Sequence, residues 1–190
     1  MSRDLMRSDE IRAFVRDAYR SVNGSTTRVA ERLYSSEELA LLPESALSGA
    51  LGLANHLRYA RIKPGATVLD LGCGSGVDTI LAAQRAGPTG RVIALDFLPE
   101  MLERTEQAAR EAGLENVETL EAEMEEIPLA DASVDVVISN GVINLSPRKA
   151  RALAECARVL RPGGELCVSD LTVEDEFPPE ILTHPAAWAG

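Results

Sequence analysis

Lysine, cysteine and aromatic side chains are all scarce in this 190-residue chain, and no long apolar run interrupts it. Two lysines, Lys63 and Lys149, stand beside 17 arginines, and 30 acids against 19 bases leave a formal charge of −11. Such a surface repels phosphate backbones, which argues against a sequence-independent nucleic-acid binder. Cys73, Cys156 and Cys167 are too few and too irregularly spaced for a disulfide framework or a closed zinc site. No stretch approaches the ~20 apolar residues of a spanning helix, and the N-terminal MSRDLMRSDEIRAF lacks the apolar segment of a secretory signal. These absences lead to the expectation of a cytoplasmic chain with neither a membrane nor a nucleic-acid partner. What remains is ordinary for a globular protein: 45% hydrophobic and 26% charged residues. The length suits one domain, which buries roughly 70% of the surface of its unfolded chain.

The pattern changes character at Lys63-Pro64-Gly65. Before it, helical spacing dominates. Ser8 is placed to cap Asp9–Val22, where Ile11, Val15, Ala18 and Val22 share a face, and Asn23-Gly24 ends that segment. Further helices are expected over Thr26–Leu33 and, with an interruption, Ser45–Arg61. After it, strands alternate with helices. Thr67–Leu71, Arg91–Asp96, Val117–Glu121, Val134–Ser139 and Glu165–Asp170 are the expected strands. Val77–Arg85, Pro99–Ala112 and Arg148–Leu160 are the expected helices, and Arg161-Pro162-Gly163-Gly164 a turn. This alternation implies an α/β fold, an open parallel sheet of about five strands with helices on both faces, behind a helical N-terminal cap. The division expected is residues 1–62 for the cap and 63–190 for the core. Right-handed crossovers place ligands beyond the strands' carboxyl ends.

The strongest chemical signal is Asp70-Leu71-Gly72-Cys73-Gly74-Ser75-Gly76, directly after the first strand and opening a helix. Glycines at this point let backbone approach a ligand, where a plain tight turn needs fewer of them. A dinucleotide site has the spacing G-x-G-x-x-G with pyrophosphate on the helix N-terminus. Here the third glycine, Gly76, comes one residue early, and a carboxylate, Asp70, precedes the first by two. A carboxylate repels a pyrophosphate and attracts a sulfonium or an ammonium group. The turn therefore favours S-adenosylmethionine over a nicotinamide dinucleotide. Asp96 ends the second strand 20 residues after Gly76, where a carboxylate accepts hydrogen bonds from both ribose hydroxyls. Phe97 and Leu98 are apolar groups suited to flank adenine, although ordinary packing also explains them. The acidic stretch Glu121–Pro128 follows the end of the third strand, either as a solvated edge or with one acid receiving the adenine amino group. Asn140 ends the fourth strand and faces the same crevice.

Together these residues resemble a class I S-adenosylmethionine-dependent methyltransferase, over about Pro64 to Asp170. The match rests on VLDLGCGSG, IALDFLPEML, EEIPLADASVDVVISN and RVLRPGGEL in that order. The resemblance implies a Rossmann-like sheet, with Asp70, Gly72 and Gly74 at the methionine end and Asp96 on the ribose. It places Phe97, Glu123 and Met124 around adenine, with Glu123 standing for an aspartate usual in the family. Gly76 and Asn140 complete the expected cofactor set. A complete fold of this class has seven strands, the last two an antiparallel pair beside the fifth. Only 20 residues follow Asp170, with Pro178, Pro179 and Pro185 among them, so the usual last two strands are expected to be absent. The edge of Glu165–Asp170 is then expected to be covered by the tail, by a missing C-terminal segment or by another chain, a homo-oligomer included.

Within the class, the chain is most similar to arsenite methyltransferases, through LPESALSGALGLANHL, GPTGRVIALDFLPEML, ISNGVINLSPRKARALAECARVLRPGG and the tail HPAAWAG. That family holds arsenic with cysteine thiolates, which are soft ligands. Leu53 and Gly141 stand where it has two of these cysteines, and a third would fall just beyond Gly190. Cys73, Cys156 and Cys167 lie at turn, helix-core and strand positions and act as small apolar fillers rather than arsenic or metal ligands. The expected acceptor is therefore a small molecule whose reacting atom stays open, with Leu53, Asn55, Gly141 and Asn144 as candidate contacts. No catalytic base stands out, since His56 lies in the cap and His184 in the tail. Two alternatives stay open: a cofactor-binding domain without activity of its own, and, disfavoured by the glycine spacing, a nicotinamide-dependent oxidoreductase.

Overall fold

The computed structural model describes residues 8–20 and 27–172. The expectations placed on Asn23-Gly24, His184, the prolines of the tail and HPAAWAG lie outside the described residues. The cap supplies α1 (Ser8–Arg20), α2 (Thr27–Leu33), α3 (Ser36–Leu39), α4 (Glu44–Leu47) and a 3-10 turn at His56–Arg58. The remainder runs β1 (Thr67–Leu71), α5 (Val77–Ala86), β2 (Arg91–Asp96), α6 (Pro99–Glu111), β3 (Val117–Glu121) and β4 (Val134–Asn140). A 3-10 turn at Ile143–Leu145, α7 (Lys149–Val159) and β5 (Leu160–Ser169) follow. The five strands form one all-parallel sheet in the order β3-β2-β1-β4-β5, as the alternation implied. Among the described residues no helix is long and apolar enough to cross a membrane.

Central strands of such a sheet are covered on both faces, so their sequences need no alternation. β1 is buried from Val68 onward and β2 from Val92 onward, whereas β3 lies at the edge and is mostly half-buried. On one face Val68, Ile80, Ala83, Val136 and Ile138 pack together; on the other, Leu69, Leu71, Val137, Cys156 and Val159 do. Tyr34, Leu42, Ala46, Ala50 and Leu57 of the cap join the first of these clusters. Leu57 is fully buried there. Leu57→Ala is expected to cost about 2–5 kcal/mol of stability in chemical denaturation, because a side chain in a filled core leaves a cavity behind.

Three local expectations change. Ser45–Arg61 is not a helix beyond Glu44–Leu47 and His56–Arg58. Tertiary contact replaces helical hydrogen bonding in the intervening loop. A Cβ on Gly49 would lie 2.7 Å from Ser75 Cβ, and one on Gly52 2.6 Å from Asn140 Nδ2. The backbone can press this closely only where side chains are missing. Ser36–Leu39, an unforeseen helical turn, is held by a reciprocal capping box in which Ser35 bonds the Glu38 amide and Glu38 bonds the Ser35 amide. Arg161–Gly164 lies within the span of β5 as an irregular insertion, since pairing jumps from Val134–Leu160 to Val136–Glu165.

Candidate functional site

The strand order reverses between β1 and β4, and a cleft of about 1270 Å³, including the solvent at its mouth, opens there beyond their carboxyl ends. The glycine turn forms its floor. Gly72 and Cys73 donate their amides to the Leu95 carbonyl at 2.8 and 2.9 Å, which ties the turn to β2. Gly72 has φ +79°, and a Cβ there would lie 2.7 Å from both methyls of Val142. Gly74 has φ +55° with nothing within 4 Å of its Cβ position, so its bare backbone faces open space. Gly76, also in the left-handed region, caps α5 against Thr105 and does not line the cleft.

Three carboxylates surround this floor. Asp70 is 2% exposed and accepts a 2.5 Å hydrogen bond from the Thr79 hydroxyl. Burial first and the nearby Asp78 second push its pKa up to about 8. Asp96 receives the amides of Leu98 at 3.0 Å and Gly74 at 3.1 Å. Burial nonetheless raises it above the ordinary carboxylate range against those hydrogen bonds. Asp78, in the first turn of α5, accepts from the Tyr34 hydroxyl at 2.7 Å and from the Asn140 amide at 2.9 Å. Burial and the Asp78 charge drive the Tyr34 phenol far above its usual range, so it remains a donor.

At the other end, Phe97, Glu123 and Met124 line the cleft beside Glu125. Glu123 pairs with Arg12 of α1 at 2.5 Å. Glu125 is buried, receives the Ser146 hydroxyl and lies 3.8 Å from Arg12. Arg16, also of α1, sits 6.0 Å from the centre of the Phe97 ring. Thus α1 closes over this end, with Ile11 and Val15 packed against Leu145 and Phe97.

The residues singled out from sequence separate into two groups. Asp70, Gly72, Gly74, Asp96, Phe97, Glu123, Met124, Asn140 and Gly141 meet in the cleft lining. Asn140 spends its amide on protein: its oxygen accepts from Leu53 at 2.9 Å, and its nitrogen donates to Ala54 O and Asp78. It therefore pins the loop after α4 onto the end of β4. Leu53, Asn55 and Asn144 stand outside the lining. Leu53 packs against Gly141, whose Cβ position lies 3.0 Å from Leu53 Cγ. Asn55 is buried against Glu38 at 2.8 Å, and the Asn144 amide donates to Asp170 at 3.1 Å. Of the cysteines only Cys73 lines the cleft, with its thiol raised well above its ordinary value by burial. Among the described residues no group of three or more His, Cys, Asp or Glu side chains is arranged to hold a metal ion. Arg12, Tyr19, Tyr34 and Asp78 were not foreseen. Their only signals in sequence were a helical face and a first-turn acid, neither of which is specific.

The chain is 43% identical over 162 residues to an arsenite methyltransferase of Halobacterium salinarum, covering 85% of this chain and 41% of that protein. It is 38% identical over 115 residues to a demethylmenaquinone methyltransferase of Listeria welshimeri, covering 60% and 48%. The crystal structure of an arsenic(III) S-adenosylmethionine methyltransferase from Chlamydomonas reinhardtii superposes with a TM-score of 0.66 at 36% identity, covering 87% of this chain and 56% of that one. The chain thus spans roughly half the length of these relatives. A family model described as a methyltransferase domain matches residues 62–189, most of the chain, and the chain belongs to that methyltransferase family.

Proposed function

We propose that this chain binds S-adenosylmethionine and transfers its methyl group to a small-molecule acceptor. The observation that carries this reading is Asp70, a buried carboxyl held at about 8 on the floor of a glycine cradle. A carboxyl so raised is stabilised in its ionised form by a cation placed beside it, and destabilised further by a pyrophosphate. The open face of Gly74 provides the space for such a group. In this reading Asp70, Gly72 and Gly74 hold the ammonium end, Asp96 receives the ribose hydroxyls, and Phe97, Met124 and Glu123 surround adenine under α1. When bound, the cofactor supplies an already activated methyl group. The protein's work is then to hold an acceptor in line with that group and to exclude water, for which the cap is placed.

The family and the relatives' names support this reading, and the arsenite acceptor of two of them does not transfer with it. Leu53 and Gly141, where the arsenite enzymes resembled here have cysteines, pack against each other without a thiol. Calorimetric titration with S-adenosylhomocysteine and with NADH tests the cofactor. Binding of the first alone is the expected result, and binding of NADH alone would reverse the assignment. Release of labelled methyl across an acceptor panel tests the reaction.

We place the chain in the cytoplasm, because its three cysteines are free. β5 pairs with no strand on its outer side among the described residues, and leaves Leu166 and Val168 more than a third exposed. A strand from a further segment or a second copy would satisfy that edge.

A further inference from the structure

We propose that Asp78 takes up the proton of a protic methyl acceptor, a hydroxyl or amine on an apolar body, and that His56 is the positioning residue behind it. This rests on the methyltransferase reading above. Asp78 lines the cleft, and its two oxygens are oriented by Tyr34 on one side and Asn140 on the other. His56 lies behind, 3% exposed, with Nδ1 3.9 Å from Asp78 Oδ2. Neither of its ring nitrogens has a hydrogen-bond partner among the described residues. A buried imidazole with both nitrogens unpartnered is costly, and a 3.9 Å approach to a carboxylate is short enough to tighten when a ligand closes the site.

The other titratable groups packed around this pair leave the role to Asp78. Asp70 approaches from β1 and is committed to the cofactor. Tyr34, following α2, keeps its proton. Cys167 of β5 donates its thiol to the His56 carbonyl at 3.2 Å. Glu38 of α3 is neutralised by Arg85 of α5 at 3.1 Å.

The acceptor class follows from the remaining walls. Val29, Leu33, Ala50, Leu51 and Val142 form an apolar surface on the cap side and beyond β4. A lone pair on a thioether sulfur or on arsenic has no proton on the reacting atom to remove, whereas a hydroxyl or amine must give one up. In the step proposed, a bond forms between the acceptor oxygen or nitrogen and the methyl carbon. The carbon–sulfur bond breaks with its electron pair left on sulfur, and the acceptor's proton passes to Asp78.

Asp78→Asn and His56→Ala test this in the full chain with S-adenosylmethionine and a series of substituted phenols and alkylamines, with arsenite and a dialkyl thioether as comparison acceptors. For Asp78→Asn the expectation is S-adenosylhomocysteine affinity within about threefold of the parent and a kcat lowered about a hundredfold for weakly acidic phenols. That loss shrinks toward 4-nitrophenol, which arrives already ionised. His56→Ala is expected to lose about tenfold in kcat at unchanged donor KM and to recover with added imidazole. In the unliganded protein, the His56 ring ¹⁵N resonances are expected to move in Asp78→Asn. An equal loss along the whole phenol series, or parental kcat in both variants, overturns the proposal. Transfer to arsenite or thioether alone overturns it and leaves the methyltransferase reading standing, while a parent that binds no S-adenosylhomocysteine overturns both. Should Asp78→Asn fail to fold, His56→Ala decides: recovery with imidazole supports the proposal, and its absence rejects it.

Discussion

Asp96→Ala lowers the affinity for S-adenosylhomocysteine by about a hundredfold or more. A carboxylate accepting from two ribose hydroxyls makes two charge-assisted hydrogen bonds, each of about 1.5–3 kcal/mol, and tenfold in affinity corresponds to about 1.4 kcal/mol. The same side chain also receives the amides of Leu98 and Gly74, so alanine loosens the turn as well as removing the proposed ribose contact. Asp96→Asn separates the two effects, because its amide oxygen keeps one backbone amide while the charge is lost. Calorimetry on both variants is the measurement. Parental affinity in Asp96→Ala would remove Asp96 from the cofactor site.

The second large effect is on pH dependence, through Asp70. With its pKa raised to about 8, this carboxyl is protonated in the unliganded protein near neutrality, and a cationic ligand must displace that proton. Affinity for S-adenosylmethionine is therefore expected to rise about tenfold per pH unit between roughly pH 5.5 and 7.5, with release of about one proton. Asp70→Asn flattens this profile and weakens binding throughout. The effect on folding has the opposite sense. A carboxyl whose folded value lies above its ordinary 3.8 favours the folded state fully below that value, and the benefit is lost as pH rises to about 8. Unliganded Asp70→Asn is thus expected to melt above the parent at pH 8 and to lose that advantage at pH 4. Buffer-dependent calorimetry measures the proton release and thermal melts the stability. A pH-independent affinity would show that Asp70 does not meet the cation.

The parts of the fold that were legible in advance are those whose residues carry their own physical reason. Thr67–Leu71 and Arg91–Asp96 coincide with β1 and β2, because strands buried on both faces read as near-continuous apolar runs, broken here only by Asp70 and by the residues at the ends. Pro99 at the start of α6 and Gly113 beyond its end mark that helix equally well. The loop after α4 was not legible. Gly49 and Gly52 sit there to admit Ser75 and Asn140, residues distant in sequence, and no local pattern announces such contacts. Asn140 illustrates the same limit within the site. Its position at the end of β4 was evident, but its engagement with Leu53, Ala54 and Asp78 depends on how the cap folds back.

By itself, then, the sequence determined the α/β alternation, the glycine cradle and the acids at the ends of β1 and β2. Each of these acts through backbone geometry or through charge at a strand terminus, and both follow from local order. The tertiary structure alone decided that α1 closes the Phe97 end of the cleft through Arg12, and that Leu53 and Gly141 touch. It also decided that His56 of the cap lies behind Asp78 of α5. Those pairings join segments 22 to more than 100 residues apart, and only burial of the cap against the sheet brings them within reach.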